Sequence, residues 1–143
     1  MPSEFPTSGP PRLLPPGDHF PVWLGMEIRS SDNGCSEVVV PSRPEALNYR
    51  GVFHGGIIST VADVTTAVAL NSLLRPQQRY TVTQSLDVSF LLPAVGHLTG
   101  YGYTVRIGSV VAVGRCEIVD GSGRTVAVAQ GNYRVFTLPA ESR

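Results

Sequence analysis

Gly56-Ile57-Ile58-Ser59-Thr60-Val61-Ala62-Asp63-Val64-Thr65-Thr66-Ala67-Val68-Ala69-Leu70-Asn71-Ser72-Leu73-Leu74 is the stretch whose reading decides the fold. Its β-branched residues, among them Ile57, Ile58, Val61, Val64 and Val68, favour extended backbone. Its length opposes that, because nearly twenty residues without an internal turn exceed an ordinary strand of a small domain. Ile57, Ile58, Val61, Ala62, Thr65, Val68 and Ala69 also share one stripe of a 3.6-residue period. The segment therefore reads as a helix, apolar enough to be buried along most of its circumference.

The flanks read as strands. Met26 to Arg29 and Ser36 to Val40 lie either side of a Ser30-Ser31-Asp32-Asn33-Gly34 turn. Thr81 to Leu91, His97 to Ile107, Val110 to Val119 and Thr125 to Phe136 are rich in Val, Thr, Tyr and Phe. The short connections Pro93–Gly96, Gly108-Ser109 and Asp120–Gly123 make such neighbours antiparallel. One long helix wrapped by a curved antiparallel sheet of about six strands is an α+β fold. Phe20 to Leu24 is an apolar patch of about one helical turn, with Trp23 expected to anchor it in the core. Tyr101 and Tyr103 share one strand face. Residues 1–17 hold six prolines and read as a flexible arm, leaving residues 18–143 as one domain.

Composition removes several function classes. The chain has 143 residues and zero net charge, so nothing draws it to nucleic acid or an anionic membrane. All eleven basic residues are Arg, which excludes Schiff-base and P-loop lysine chemistry. Cys35 and Cys116 stand far apart without flanking His, so two reduced thiols are expected rather than a metal site. There is no secretory pattern and no run of roughly 20 apolar residues, and the expected location is cytoplasmic.

Asp63 is the only charged residue between Arg50 and Arg75. A carboxylate within an apolar helix is costly unless it is hydrogen-bonded or has a chemical role. Neighbouring hydroxyls such as Ser59, Thr60 or Thr66 could satisfy it as a structural residue; otherwise it is a general base or nucleophile. Just upstream, Asn48-Tyr49-Arg50-Gly51-Val52-Phe53-His54-Gly55-Gly56 runs into the helix, its paired glycines suggesting close approach and unusual φ. The free first-turn amides suit a developing oxyanion. Asp63 lies nine residues after His54, or roughly 12–14 Å along a helix. If both regions act on one carbonyl, Asp63 must come from a second subunit.

Asn48-x-x-Gly51-x-x-His54-Gly55-Gly56 followed by Asp63 resembles the PaaI-type thioesterases of the hotdog-fold superfamily. The likeness takes in Leu24–Glu27, Asp87–Ala94 and Val119–Ala127, and so about 120 of the 143 residues. It implies hydrolysis of an acyl-CoA thioester without a metal or redox cofactor, in a homodimer or tetramer with sites at the dimer interface. It further implies that the Gly55 amide polarises the carbonyl while His54 and Asn48 shape that region. The partner's residue matching Asp63 would be base or nucleophile, with Thr83 helping to orient water. CoA would lie along Gly56, Phe90, Leu91, Pro93, Arg106, Gly108 and Ser109. Ser109 stands where many members carry Lys or Arg, so Arg106, Arg79 or Arg75 would have to meet the phosphates. A non-catalytic acyl-CoA binding module is the alternative, although such a module has no need of Asp63.

Overall fold

A computed structural model describes residues 19–74 and 79–139, so the proline-rich arm and Arg75 lie outside the described residues. The elements in chain order are α1 (Phe20–Trp23), β1 (Glu27–Asp32), β2 (Cys35–Val40), a 3-10 turn (Pro44–Ala46), α2 (Gly55–Asn71), β3 (Arg79–Phe90), β4 (Leu98–Ile107), β5 (Val111–Asp120) and β6 (Thr125–Thr137). The strands form one antiparallel sheet in the order β1-β2-β4-β5-β6-β3. The expected helix and six strands are all present. β1 is longer than expected because Ser30 to Asp32 pair with β2 and the chain reverses over Asn33-Gly34, both at positive φ.

The chain leaves the sheet after β2, crosses it as α2, and returns at the far edge as β3, so α2 contacts all six strands. Ile58, Val61, Ala62, Thr65, Thr66, Ala69 and Leu70 face the sheet and are buried. Burial is thus confined to one face rather than most of the circumference, because a single sheet covers the helix from one side only. Val38, Val40, Leu98, Ile118 and Val126 complete the main core beneath it.

The helix sits unusually close to β4. A Cβ at Gly100 would lie 2.2 Å from Thr65 Oγ1, and one at Gly102 would lie 2.6 Å from the Thr65 carbonyl. In Gly100-Tyr101-Gly102-Tyr103 the glycines face the helix while the half-buried tyrosines point to the other face, as period two requires. Ser36 Oγ donates to the Thr65 carbonyl at 2.7 Å, fixing the depth of the helix. Ser72 ends it: its hydroxyl donates to Ala69 O and accepts from Gly34 N–H, tying the helix to the first hairpin.

One expectation fails at the N-terminal side. Trp23 is 48% exposed, and Leu24 is the residue that enters the core. Trp23 stacks on Phe20 and carries the Arg43 guanidinium 4.4 Å over its ring, so its apolar area is covered by a cation at the surface. Cys35 and Cys116 are free, and burial pushes the Cys116 thiol up to about 11. Among the described residues, no helix is long and apolar enough to cross a membrane.

Candidate active site

The entry to α2 is organised by two side chains. Asn48 Oδ1 accepts from Arg50 N–H at 2.9 Å and Val52 N–H at 3.4 Å, closing the loop on itself. His54 is the N-cap, with extended backbone, and its Nδ1 accepts from Gly56 N–H at 2.9 Å. A Cβ at Gly56 would lie 3.0 Å from that nitrogen, so glycine there lets the imidazole close over the helix end. Neither Gly55 nor Gly56 has positive φ, which corrects the expectation of unusual backbone. Close approach is the property used, and it is used at Gly56.

This capping singles out one amide. Gly56 N–H is taken by the His54 side chain, and Ile57 and Ile58 N–H both reach His54 O, at 2.9 and 3.1 Å. Among the described residues, the Gly55 amide is the first-turn donor left without such a partner, at the positive end of a 17-residue helix. Gly55 borders a groove of about 420 Å³ together with Asn48, Arg50, Ile58, Phe90, Leu91 and Pro93. Phe90 and Leu91 are more than half exposed there, forming an apolar lip beside the amide.

That lip is braced from behind. The buried Asp120 carboxylate accepts from Val95 N–H at 3.2 Å, from Ser122 and Arg124 N–H, and from the Arg124 guanidinium at 2.9 Å. The same guanidinium donates to Pro93 O. Burial alone would raise the Asp120 pKa, but Arg124 and the three amides outweigh it and hold the carboxyl below its usual range.

Asp63 lies further along α2 and is half-buried. Ser59, Thr60 and Thr66 do not satisfy it; each donates to a helix carbonyl four residues back, at Gly55, Gly56 and Ala62. Its donors come from the sheet. Thr83 Oγ1 reaches Asp63 Oδ1 at 2.7 Å and the Tyr133 hydroxyl reaches the same oxygen at 2.9 Å. Tyr133 was not legible as a site residue, since a tyrosine in a β-rich stretch reads as sheet packing. The one local hint is Gly131, where a Cβ would lie 2.5 Å from the Tyr133 ring.

The expected site residues therefore fall into three groups within one chain. Asn48, Gly55, Phe90, Leu91 and Pro93 line the groove, with His54 and Gly56 at its helix end. Asp63 and Thr83 touch each other but do not line it. Arg106, Gly108 and Ser109 belong to the β4–β5 hairpin, whose Gly108 and Ser109 carbonyls accept from the Arg79 guanidinium.

Comparison with known proteins agrees with this architecture. The sequence model of the thioesterase superfamily matches residues 50–127. The acyl-coenzyme A thioesterase PaaI of Escherichia coli is 32% identical over 110 residues, covering 76% of each chain. Its solved structure superposes with a TM-score of 0.73 at 29% identity, over 81% of this chain and 83% of that one. A Halobacterium salinarum protein, an esterase by provisional name, is 32% identical over 80% of this chain and 82% of its own. A Haemophilus influenzae thioesterase shares the fold, with a TM-score of 0.78 at 20% identity over 86% of each chain. The chain belongs to the thioesterase superfamily, in its PaaI-type hotdog-fold branch, and is a thioester hydrolase.

Proposed function

We propose that the substrate is an acyl-CoA thioester, cleaved to a carboxylate and CoA at a site shared between two subunits of a homodimer, which can pair further into a tetramer. The thioester carbonyl oxygen lies against the Gly55 amide of one subunit, where a donor aimed at a developing oxyanion is worth on the order of 10²–10³ in rate. His54 and Asn48 hold that amide in place. The partner's residue at position 63 is the carboxylate that activates water or attacks the carbonyl, and its Thr83 hydroxyl keeps lone pairs with which to orient the water.

The observation that carries this reading is the separation of an unused amide and a polarised carboxylate along one helix. Gly55 and Asp63 are eight residues apart, which a helix spreads over about 12 Å. No single carbonyl spans that distance, whereas two copies of the chain can supply one group each. β3 supports such pairing: it is a twelve-residue edge strand with one side of its backbone unpaired. Antiparallel self-pairing reverses the strand, so the Phe90 end of one copy approaches the Thr83 stretch of the other.

The apolar lip of Phe90, Leu91 and Pro93 then takes the pantetheine arm, and Arg106, exposed beside the Gly108-Ser109 hairpin, meets a phosphate. Free thiol release from a panel of acyl-CoAs, acetyl to decanoyl with phenylacetyl, is the test. Turnover of at least one member is expected. Binding of several with turnover of none would instead identify an acyl-CoA binding module.

A further inference from the structure

We propose that Tyr133 is a positioning residue for Asp63, its hydroxyl joining that of Thr83 to hold the carboxylate by Oδ1 and present Oδ2 to the substrate. This rests on the role given to Asp63 above.

Tyr133 is fully buried, on β6, directly opposite Thr83 of β3. The pairing slips by one residue just beyond them, between Thr83 and Ser85, so the register is irregular next to this pair. Two hydroxyls from neighbouring strands thus converge on one carboxylate oxygen, at 2.7 and 2.9 Å. The Asp63 carbonyl lies 3.1 Å from the same phenol, a longer contact than that to Oδ1, so the single proton is directed mainly at the carboxylate.

An ionised carboxylate only accepts, so both hydroxyls are donors, and two donors fill the two lone pairs of Oδ1. Oδ2 keeps its own. Burial first, and then the negative charge of Asp63, drive ionisation of the phenol far above the ordinary tyrosine range, so it remains a donor at every working pH. Packing alone does not call for this arrangement. Phenylalanine would fill the same space beside Gly131 without a buried hydroxyl that needs a partner. Fixing which oxygen faces the substrate removes a rotational freedom that a carboxylate otherwise loses at the moment of reaction.

The test compares four proteins, wild type, Tyr133→Phe, Asp63→Asn and the double variant, on the acyl-CoA of the panel that wild type hydrolyses fastest. Tyr133→Phe should keep the fold and oligomeric state and hold KM within about twofold while kcat falls roughly tenfold, since binding does not use Oδ2 and the chemical step does. In the Asp63→Asn background the same change should alter kcat by less than about twofold. Equal losses in both backgrounds, an unchanged kcat, or loss of fold in Tyr133→Phe would each overturn the positioning role while leaving Asp63 in place. Full activity of Asp63→Asn, or no turnover of any acyl-CoA by wild type, would overturn both.

Discussion

Thr83 and Tyr133 are cross-strand partners on β3 and β6, and both direct their hydroxyls to the same oxygen of Asp63. The contact ties the exposed edge strand to the middle of the helix through a single carboxylate oxygen. At the N-terminus of the same helix, His54 covers the Gly56 amide and leaves the preceding one, that of Gly55, uncovered.

Gly55→Pro isolates the amide. Proline is well tolerated at the first helical position, where its missing N–H has no helical partner. The preceding residue, His54, already has the extended backbone a proline demands of it, with φ −63° and ψ 136°. A side chain at position 55 meets only the Phe90 ring, at ordinary contact distances of 3.5–3.6 Å. The variant should melt within a few degrees of wild type and lose on the order of 10² in kcat. Near-normal turnover in a folded Gly55→Pro protein would remove the oxyanion role.

His54→Ala removes the N-cap and should cost about 1 kcal/mol of stability, whereas His54→Asn, which keeps a capping acceptor, should cost less. Chemical denaturation of the three proteins gives the order. If His54→Ala is as stable as wild type, the cap seen at Gly56 N–H contributes nothing.

Gly102→Ala tests the seating of the helix. The added methyl would lie 2.5 Å from Ser36 Oγ and 2.6 Å from the Thr65 carbonyl, and neither fixed partner can yield cheaply. Overpacking of this kind costs about 1–3 kcal/mol, readable as a lower denaturation midpoint. Gly123→Ala would not be a fair control, because its φ of +80° strains any side chain even though the space is open.

Much of this was legible in the chain itself. The uninterrupted Gly56–Leu74 stretch marks the helix, the Asp120–Gly123 and Gly108-Ser109 turns divide the strands, and a lone carboxylate between Arg50 and Arg75 marks Asp63. What escaped depends on pairing between distant segments. Gly131 is the one local hint at Tyr133, and Tyr101 and Tyr103 have neighbouring glycines too; only the β3–β6 register aims Tyr133 at Asp63. Trp23 reads as a core residue by its apolar area, and the cation that covers it at the surface lies twenty positions away at Arg43. The Gly-Tyr-Gly-Tyr stretch at 100–103 carries a signal for close helix approach, but it becomes readable only once the face opposite the tyrosines is known to meet a helix.

Asp120 gives a pH dependence with a definite sign. Its folded pKa is held below the ordinary value of 3.8, so its stabilisation is complete above that value and is lost as pH falls through the folded one. Asp120→Asn should therefore lower the melting temperature at pH 7, and its difference from wild type should shrink as the solution is acidified below about pH 4. Thermal melts of both proteins across pH 2–7 check this. A difference that grows on acidification would mean the carboxylate is not stabilised by Arg124 and the turn amides.

The shared site is tested most directly by mixing two inactive proteins, Asp63→Asn and Gly55→Pro, under conditions that allow subunits to exchange. A mixed dimer joins the intact Gly55 of one chain to the intact Asp63 of the other and restores one of its two sites. Random equal mixing should then recover about a quarter of the wild-type rate of thiol release, given an isologous two-fold dimer. If verified mixed dimers stay as inactive as their parents, Gly55 and Asp63 do not meet across the interface, and the two-subunit site is contradicted.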